Sequence, residues 1–439
     1  MDYRILPPEE LIEEGMVAIP PSKSIMNRRL MLAALTPGMA LPPVREDECF
    51  DITVMRSALS AIASSQGGRI EINAGESATA LRFLCSLAAV TPGCDAVITG
   101  EPGLLRRPVG DLVEALRHCG ATIEYLAEEG HAPLRVIGGR LAGGDVDIDP
   151  SVSSQFVSSL LMAGPLMTDG LRLRFLGEPV SLPYIKMTVA MMQARGADVE
   201  LAPLSASVAP GGYTPFQSDD EADWSAAAFW YEVVALTAGW VTLKGREDDA
   251  PLPLPADSLQ GDSAAARFFE CLGVLTEASD DHPGAISLSP SPEVFGRLDL
   301  DLKDYPDLAP ALTVTCCMLG VPFRFVGLAN LSIKESDRLQ ALVEEMDKVG
   351  CMLEKIRDYG LEWEGKRHPL TAMPEFDPRG DHRLAMAFAP VAAYVPGIVV
   401  KDAECVAKSY PGYWDALRGL GFQTLDPSEP MPESMQPEE

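Results

Sequence analysis

Apolar residues recur at helical spacing along this chain, and the helices they predict are entered through polar or charged corners. Leu339, Leu342, Val343, Met346 and Val349 fall on one helical face. Ile333-Lys334-Glu335-Ser336-Asp337-Arg338 comes just before them. The spacing predicts a strand-to-helix corner with Ser336 or Asp337 as N-cap. Backbone N–H groups at such a corner favour an anion. Glu335 can exchange a proton there, and Lys334 and Arg338 can hold a carboxylate or phosphate. A solvated helix start with local ion pairs would use the same residue types, so the weight rests on recurrence.

Similar corners do recur. Pro20-Pro21-Ser22-Lys23-Ser24-Ile25-Met26-Asn27-Arg28-Arg29 precedes an apolar helix over 30–35. Ser, Lys and Arg at a helix start make an anion site, here without the glycines of a P-loop. Asn73 to Arg82 is a Gly/Ser/Thr corner that ordinary capping explains when taken alone. Arg106-Arg107-Pro108 opens a helix over 109–117, with Pro108 suited to its first position and the arginines able to clamp an oxyanion. Ser151-Val152-Ser153-Ser154-Gln155-Phe156 heads a helix over 157–162 and suits a polyol or phosphate. Asp304-Tyr305-Pro306-Asp307 precedes an apolar run over 308–319. One of its carboxylates is expected to cap the helix, and the other is a candidate base. Asp381-His382-Arg383 and Ala407-Lys408-Ser409 extend the series. Each corner alone has a structural explanation. Together they predict a site that holds a small polyanion between two domains.

A longer period underlies these corners. An amphipathic helix, a glycine and a short strand recur at Gly120, Gly196, Gly273 and Gly350, 76 or 77 residues apart, with weaker copies at Gly67 and Gly421. The glycine fits a helix C′ position that needs positive φ. Such self-similarity predicts repeated α/β units, not a doubly wound sheet. At 439 residues, two domains are expected. A joint is expected in the Ser/Pro/Gly/Asp-rich stretch 204–220, and a second stiff point at Ile19-Pro20-Pro21.

Composition narrows the function. A net charge of −29 argues against nucleic acid and makes local basic clusters stand out. The nine cysteines form no metal-type CxxC pair, which implies a reducing compartment and no metal site. Residues 1–14 lack the apolar core of a secretory signal, and no apolar run reaches membrane-spanning length. Residues 426–439 read as a disordered acidic tail.

Taken together, Pro21-Ser22-Lys23-Ser24, Asn27-Arg28, Gly75 to Arg82, Arg107-Pro108, Ser153-Ser154-Gln155-Phe156, Pro183-Tyr184-Ile185, Pro306-Asp307, Lys334 to Arg338, Asp381-His382-Arg383 and Ala407-Lys408-Ser409 resemble the motifs of the 5-enolpyruvylshikimate-3-phosphate synthase family. They follow the family's order over nearly the whole chain. The resemblance implies a two-domain inside-out α/β barrel of six βαβαββ units, with residues 1–20 and 221–439 in one domain and 21–220 in the other. It implies an active site in the cleft between domains, which closes on substrate. It further implies transfer of enolpyruvyl from phosphoenolpyruvate to the 5-hydroxyl of shikimate 3-phosphate by a cytoplasmic monomer that needs no cofactor.

By motif match, Lys23, Asp307 and Glu335 resemble the acid/base group. Ser24, Arg28, Ser153, Ser154, Gln155, Ser181, Tyr184, Asn330 and Lys334, with Lys23 and Asp307, resemble the shikimate 3-phosphate site. Arg107, Arg338, Arg383 and Lys408, with Lys23, Ala78, Gln155 and His382, resemble the phosphoenolpyruvate site. The chain departs from the pattern at Glu76, where the family has a neutral Asn. It also departs at Ala78, where it has Gly, and at Leu182 and Lys186, where many members carry Lys and Asp. The Ala78 methyl is expected to crowd glyphosate, the family's inhibitor, more than phosphoenolpyruvate. Two rivals stand beside this reading. A UDP-N-acetylglucosamine carboxyvinyltransferase typically has Lys-Asn where this chain has Lys23-Ser24, and a loop cysteine where Cys119 ends a helix. A non-catalytic binding paralogue would bind substrate without turnover.

Overall fold

The computed structural model describes residues 1–45, 48–65, 67–216, 220–246 and 250–429. The chain resolves into two compact units, Met1–Ser22 with Asp220–Glu439, and Lys23–Asp219.

Five four-stranded sheets share one topology among the described residues. In the smaller unit, Arg69–Asn73 and Asp95–Thr99 run parallel, with the helix Ala78–Val90 between them. The helix Gly110–His118 then leads to Thr122–Tyr125 and Leu134–Ile137. The last strand pairs antiparallel with both the second and the third. Gly144–Ile148, Ser154–Ala163, Leu171–Phe175, Leu182–Gln193, Val199–Ala202 and Ser205–Val208 repeat the pattern. In the larger unit it recurs as Leu298–Asp301, Ala309–Leu319, Phe323–Val326, Arg338–Asp347, Glu354–Lys355 and Leu361–Trp363.

Two further copies are split along the chain. Gly15–Ile19 lies parallel to Val241–Gly245, so the whole smaller unit is inserted between this first strand and its helix, Trp224–Thr237. In the last copy, Tyr3–Leu6 lies between Ile398–Val400 and Gln423–Leu425, antiparallel to both. The N-terminal strand therefore completes the C-terminal sheet. Of six expected copies, five are complete among the described residues. The helices Lys23–Leu35 and Phe50–Ser64 head the smaller unit with no described sheet of their own.

The first helix of each copy is rich in apolar residues and is enclosed on nearly every side. In His382–Phe388 every residue is buried, in Ala309–Leu319 all but Leu319, and in Ala78–Val90 all but Thr79. The Trp224, Ala309 and His382 helices pack on one another inside the larger unit, and the Lys23, Ala78 and Ser154 helices do so inside the smaller. The sheets lie outside them. Leu171–Phe175, for example, alternates buried and exposed residues, as a sheet with one solvent face does. The Trp224 helix also buries Glu232, whose carboxylate oxygens have no hydrogen-bond partner among the described residues.

The repeat glycines behave in two ways. Gly120, Gly196, Gly350 and Gly421 all have positive φ just after a helix. Gly273 has φ +84° too, but it sits inside the strand Leu272–Ala278, where the register shifts between Leu272 and Val274. After Gly350 the expected strand starts late, at Glu354. The stretch 204–220 contains the strand Ser205–Val208, and Gln217–Asp219 lie outside the described residues. Of the acidic tail, the start is anchored: Arg4 donates to the carbonyls of Pro427, at 2.7 Å, and Glu429. Residues 430–439 lie outside the described residues.

Candidate active site

In the larger unit the charged corners converge. Asp337 caps the Arg338 helix by accepting from the Gln340 N–H at 3.1 Å. This turns Arg338 inward, where it is 1% exposed. Its guanidinium reaches three carboxylates: Asp381 (Nε to Oδ2, 2.6 Å), Asp307 (3.0 Å) and Glu335 (3.0 Å). Asp307 also meets Arg383 at 3.1 Å and Lys334 at 3.6 Å. Glu335 meets Lys408 at 3.4 Å. Asp381 is fully buried and caps the His382 helix through the Arg383 N–H at 3.0 Å. It thus fixes Arg338 and the start of that helix at once.

The electrostatics follow from this crowding. Burial alone would push the Asp307 carboxyl up, but Arg383, Lys334 and Arg338 hold it well below the usual carboxylate range. Burial, only partly offset by Asp307, keeps the Lys334 ammonium below its ordinary value. Burial also opposes the Arg338 charge. Asp381, Glu335 and Asp307 outweigh it and hold that guanidinium more firmly protonated than usual. Asp262 accepts from the Ser225 hydroxyl nearby. Burial, reinforced by Asp307, pushes its carboxyl up to about 6.

In the smaller unit, Lys23 opens the first helix and its Nζ lies 3.0 Å from Asp51 Oδ2. One turn on, the buried Arg28 donates to the Thr188 hydroxyl (2.7 Å), the Ser24 carbonyl (2.9 Å), and the Ser158 hydroxyl and Tyr184 carbonyl (both 3.3 Å). Burial lowers its pKa to about 10. Ser153 caps the Ser154 helix through the Gln155 N–H at 3.2 Å. Arg82 donates to Ser153 Oγ at 3.2 Å and Gln155 Oε1 at 2.7 Å, and Gln155 donates to Thr79 Oγ1 at 2.9 Å. Ser181 is buried at φ +53° before the Leu182 helix, a left-handed conformation that costs a non-glycine about 1–3 kcal/mol.

The residues predicted from the sequence divide between these two clusters. Asp307, Lys334, Glu335, Arg338, Arg383 and Lys408 form one bonded network, with His382 buried at the head of its helix and Asn330 on the turn Ala329–Ile333. Lys23, Ser24, Arg28, Ser153, Ser154, Gln155, Ser181 and Tyr184 lie at or near helix starts of the smaller unit. Ala78 is the buried first residue of its helix, and Glu76 is exposed just before the cap Ser77. Leu182 is half-buried and Lys186 exposed.

Two expectations need correction. Pro108 precedes the N-cap Val109 and is not the first helical residue. Its carbonyl accepts from Arg82 at 3.2 Å, while half-buried Arg107 sits on the preceding turn. Neither Asp304 nor Asp307 caps the Ala309 helix, because the Asp307 carboxylate is drawn to the cations instead. Asp51, Asp262 and Thr188 escaped the sequence reading, since each is a single polar residue inside an otherwise ordinary segment. Arg82 carried a signal: a lone arginine in an apolar helical run must find partners.

A family model described as EPSP synthase (3-phosphoshikimate 1-carboxyvinyltransferase) matches residues 44–417. A relative from Bacteroides fragilis, named 3-phosphoshikimate 1-carboxyvinyltransferase, is 41% identical over 423 residues, covering 96% of this chain and 98% of the relative. One of the same name from Syntrophobacter fumaroxidans is 35% identical over 425 residues, covering 93% and 97%. A solved EPSP synthase structure from Acinetobacter baumannii has a TM-score of 0.72 at 22% identity, covers 97% of this chain and 100% of its own, and shares the fold. The chain belongs to the EPSP synthase family.

Proposed function

We propose that this protein transfers the enolpyruvyl group of phosphoenolpyruvate to the 5-hydroxyl of shikimate 3-phosphate and releases phosphate. The carrying observation is the Asp307–Glu335 pair, held among Lys334, Arg338, Arg383 and Lys408. The 5-hydroxyl must lose a proton as its oxygen bonds to the enol carbon. The methylene carbon must gain one. The tetrahedral adduct then loses phosphate and a methyl proton. Asp307 serves the hydroxyl, and Lys23 and Glu335 serve the enolpyruvyl side. Arg107, Arg338, Arg383 and Lys408 bind phosphoenolpyruvate, with Lys23, Ala78, Gln155 and His382. Ser24, Arg28, Ser153, Ser154, Gln155, Ser181, Tyr184, Asn330 and Lys334 bind shikimate 3-phosphate, with Lys23 and Asp307.

The four cations are now neutralised by the protein's own carboxylates. An incoming carboxylate or phosphate competes for the same donors. As Asp307 loses cations its depressed proton affinity recovers, which suits it to act as a base once substrate is bound. Electrostatic neutralisation and positioning by these side chains then supply the catalysis.

The test is phosphate release from phosphoenolpyruvate, with shikimate 3-phosphate and UDP-N-acetylglucosamine offered in parallel. Release with shikimate 3-phosphate alone is the expected result. Release with the sugar nucleotide, or binding without release, overturns the proposal. We further propose a monomer in the cytoplasm, in keeping with cysteines that are all free. Sedimentation at micromolar concentration checks the first part.

A further inference from the structure

Arg28 is a buried cation whose hydrogen-bond acceptors carry no charge. It lies on the Lys23 helix and is 2% exposed. Its guanidinium donates to two hydroxyls, those of Thr188 and Ser158, and to two carbonyls, those of Ser24 and Tyr184. The rings of Phe83 and Tyr184 lie 5.6 and 5.8 Å from its central carbon. Arg338, by contrast, meets three carboxylates. A charge taken out of water without a counter-ion is costly, and an arriving anion offsets that cost.

The four bonds occupy four of the five N–H groups that an arginine has. Nη2 is fully engaged, with Ser158 and Tyr184. The fifth N–H is on Nη1, whose other N–H meets the Ser24 carbonyl at 2.9 Å. Thr188 fixes this orientation. Its Oγ1 accepts from Arg28 Nε at 2.7 Å, the shortest of the four contacts, and it is fully buried on the Leu182 helix. Its own single proton has the Tyr184 carbonyl at 2.8 Å and Ser158 Oγ at 2.9 Å as acceptors, which leaves its lone pairs for Arg28. Ser158, equally buried on the Ser154 helix, accepts from Nη2 at 3.3 Å. Three helices meet at this pair of hydroxyls.

We propose that Thr188 is a positioning residue for shikimate 3-phosphate: with Ser158 beside it, it holds the Arg28 fork so that the remaining Nη1 N–H is kept for an oxyanion of that substrate. This rests on the assignment of Arg28 and Ser24 to that substrate under the proposed function. Valine has the shape of threonine without the hydroxyl. Thr188→Val therefore leaves Nε without its acceptor in the interior and lets the guanidinium turn. Thr188→Ser keeps the hydroxyl and loses only a methyl.

The test is calorimetric titration of the full-length protein with shikimate 3-phosphate, followed by steady-state kinetics and a melting temperature for each variant. Thr188→Val should weaken shikimate 3-phosphate binding about tenfold and raise its KM alike. The phosphoenolpyruvate KM and kcat should each move by less than about threefold. Thr188→Ser should bind within about threefold of wild type. Ser158→Ala should weaken the same affinity by a smaller factor, and it carries the test if Thr188→Val does not fold. Wild-type affinity in Thr188→Val, or in Ser158→Ala where that variant stands alone, overturns the inference. So does an equal rise in both KM values, or a Thr188→Ser as weak as Thr188→Val. Wild-type protein that binds shikimate 3-phosphate yet releases no phosphate overturns the proposed function and not this inference; wild-type protein that does not bind it overturns both.

Discussion

Arg338 sits among three carboxylates whose duties differ. Asp381 is fully buried and bidentate, so it holds the guanidinium in place. Asp307 and Glu335 are about one-seventh exposed and can exchange one partner for another. Glu335→Gln keeps shape and a hydrogen-bond acceptor while removing the exchangeable charge. Turnover should fall by about 10²–10⁴-fold with substrate affinities much less changed. A near-normal turnover number refutes the acid/base role. Ala78 bears on inhibition. It is the buried first residue of its helix, and its methyl stands where the motif it resembles has Gly. Ala78→Gly should increase glyphosate inhibition more than it changes the phosphoenolpyruvate KM; an unchanged inhibition constant rejects the crowding idea. At this scale the sequence was legible where charge clustered, as at Lys334 to Arg338. It was silent about Asp51, because nothing in Phe50-Asp51-Ile52 shows that a lysine 28 positions earlier lies 3.0 Å away. Pairing between helices is a tertiary fact.

The helices carry their meaning in how little amphipathicity they have. A surface helix shows an apolar stripe. The run 309–318 shows none, the run 80–90 interrupts its apolar surface only at Arg82 and Ser86, and both prove to be buried on every side. Their apolar runs were readable, whereas the inside-out plan came only from the resemblance of the motifs to the family. Element boundaries were less readable. Gly273 carries the periodic spacing of the other repeat glycines yet falls within a strand, because local spacing cannot tell a helix end from a register shift in a ladder. Gly350 does what the pattern expects, at φ +81°, and a β-carbon there would lie 2.2 Å from the His368 carbonyl oxygen. Gly350→Ala should therefore destabilise the fold by more than about 1 kcal/mol in chemical denaturation. Gly419→Ala, at a helix end with open space around it, is the contrast and should stay within about 1 kcal/mol of wild type.

At the scale of the whole molecule, the buried Glu232 gives stability an unusual slope with pH. Burial pushes this carboxyl well above its ordinary value. The folded protein therefore holds the proton more tightly than the unfolded chain. Stability from this group is complete below a pH of about 4.3 and falls as pH rises above it, by up to about 1.4 kcal/mol per pH unit. Asp307 runs the other way, its depressed pKa costing stability only as acid protonates it. Glu232→Gln should flatten the loss of stability that sets in as pH rises above about 4.3. Equal slopes for the two proteins reject this assignment. The split copies also govern how the molecule can be made. Gly15–Ile19 leaves the ribosome early, but its parallel neighbour Val241–Gly245 follows only after the entire inserted unit. At about 5–20 residues per second that is a wait on the order of 10–40 seconds. Tyr3–Leu6 waits longer still, for Ile398–Val400 and Gln423–Leu425 near the far end. The smaller unit can fold while translation continues, whereas the larger one stays open until Gln423–Leu425 has been made, and Tyr3–Leu6, made before Gly15–Ile19, is paired after it.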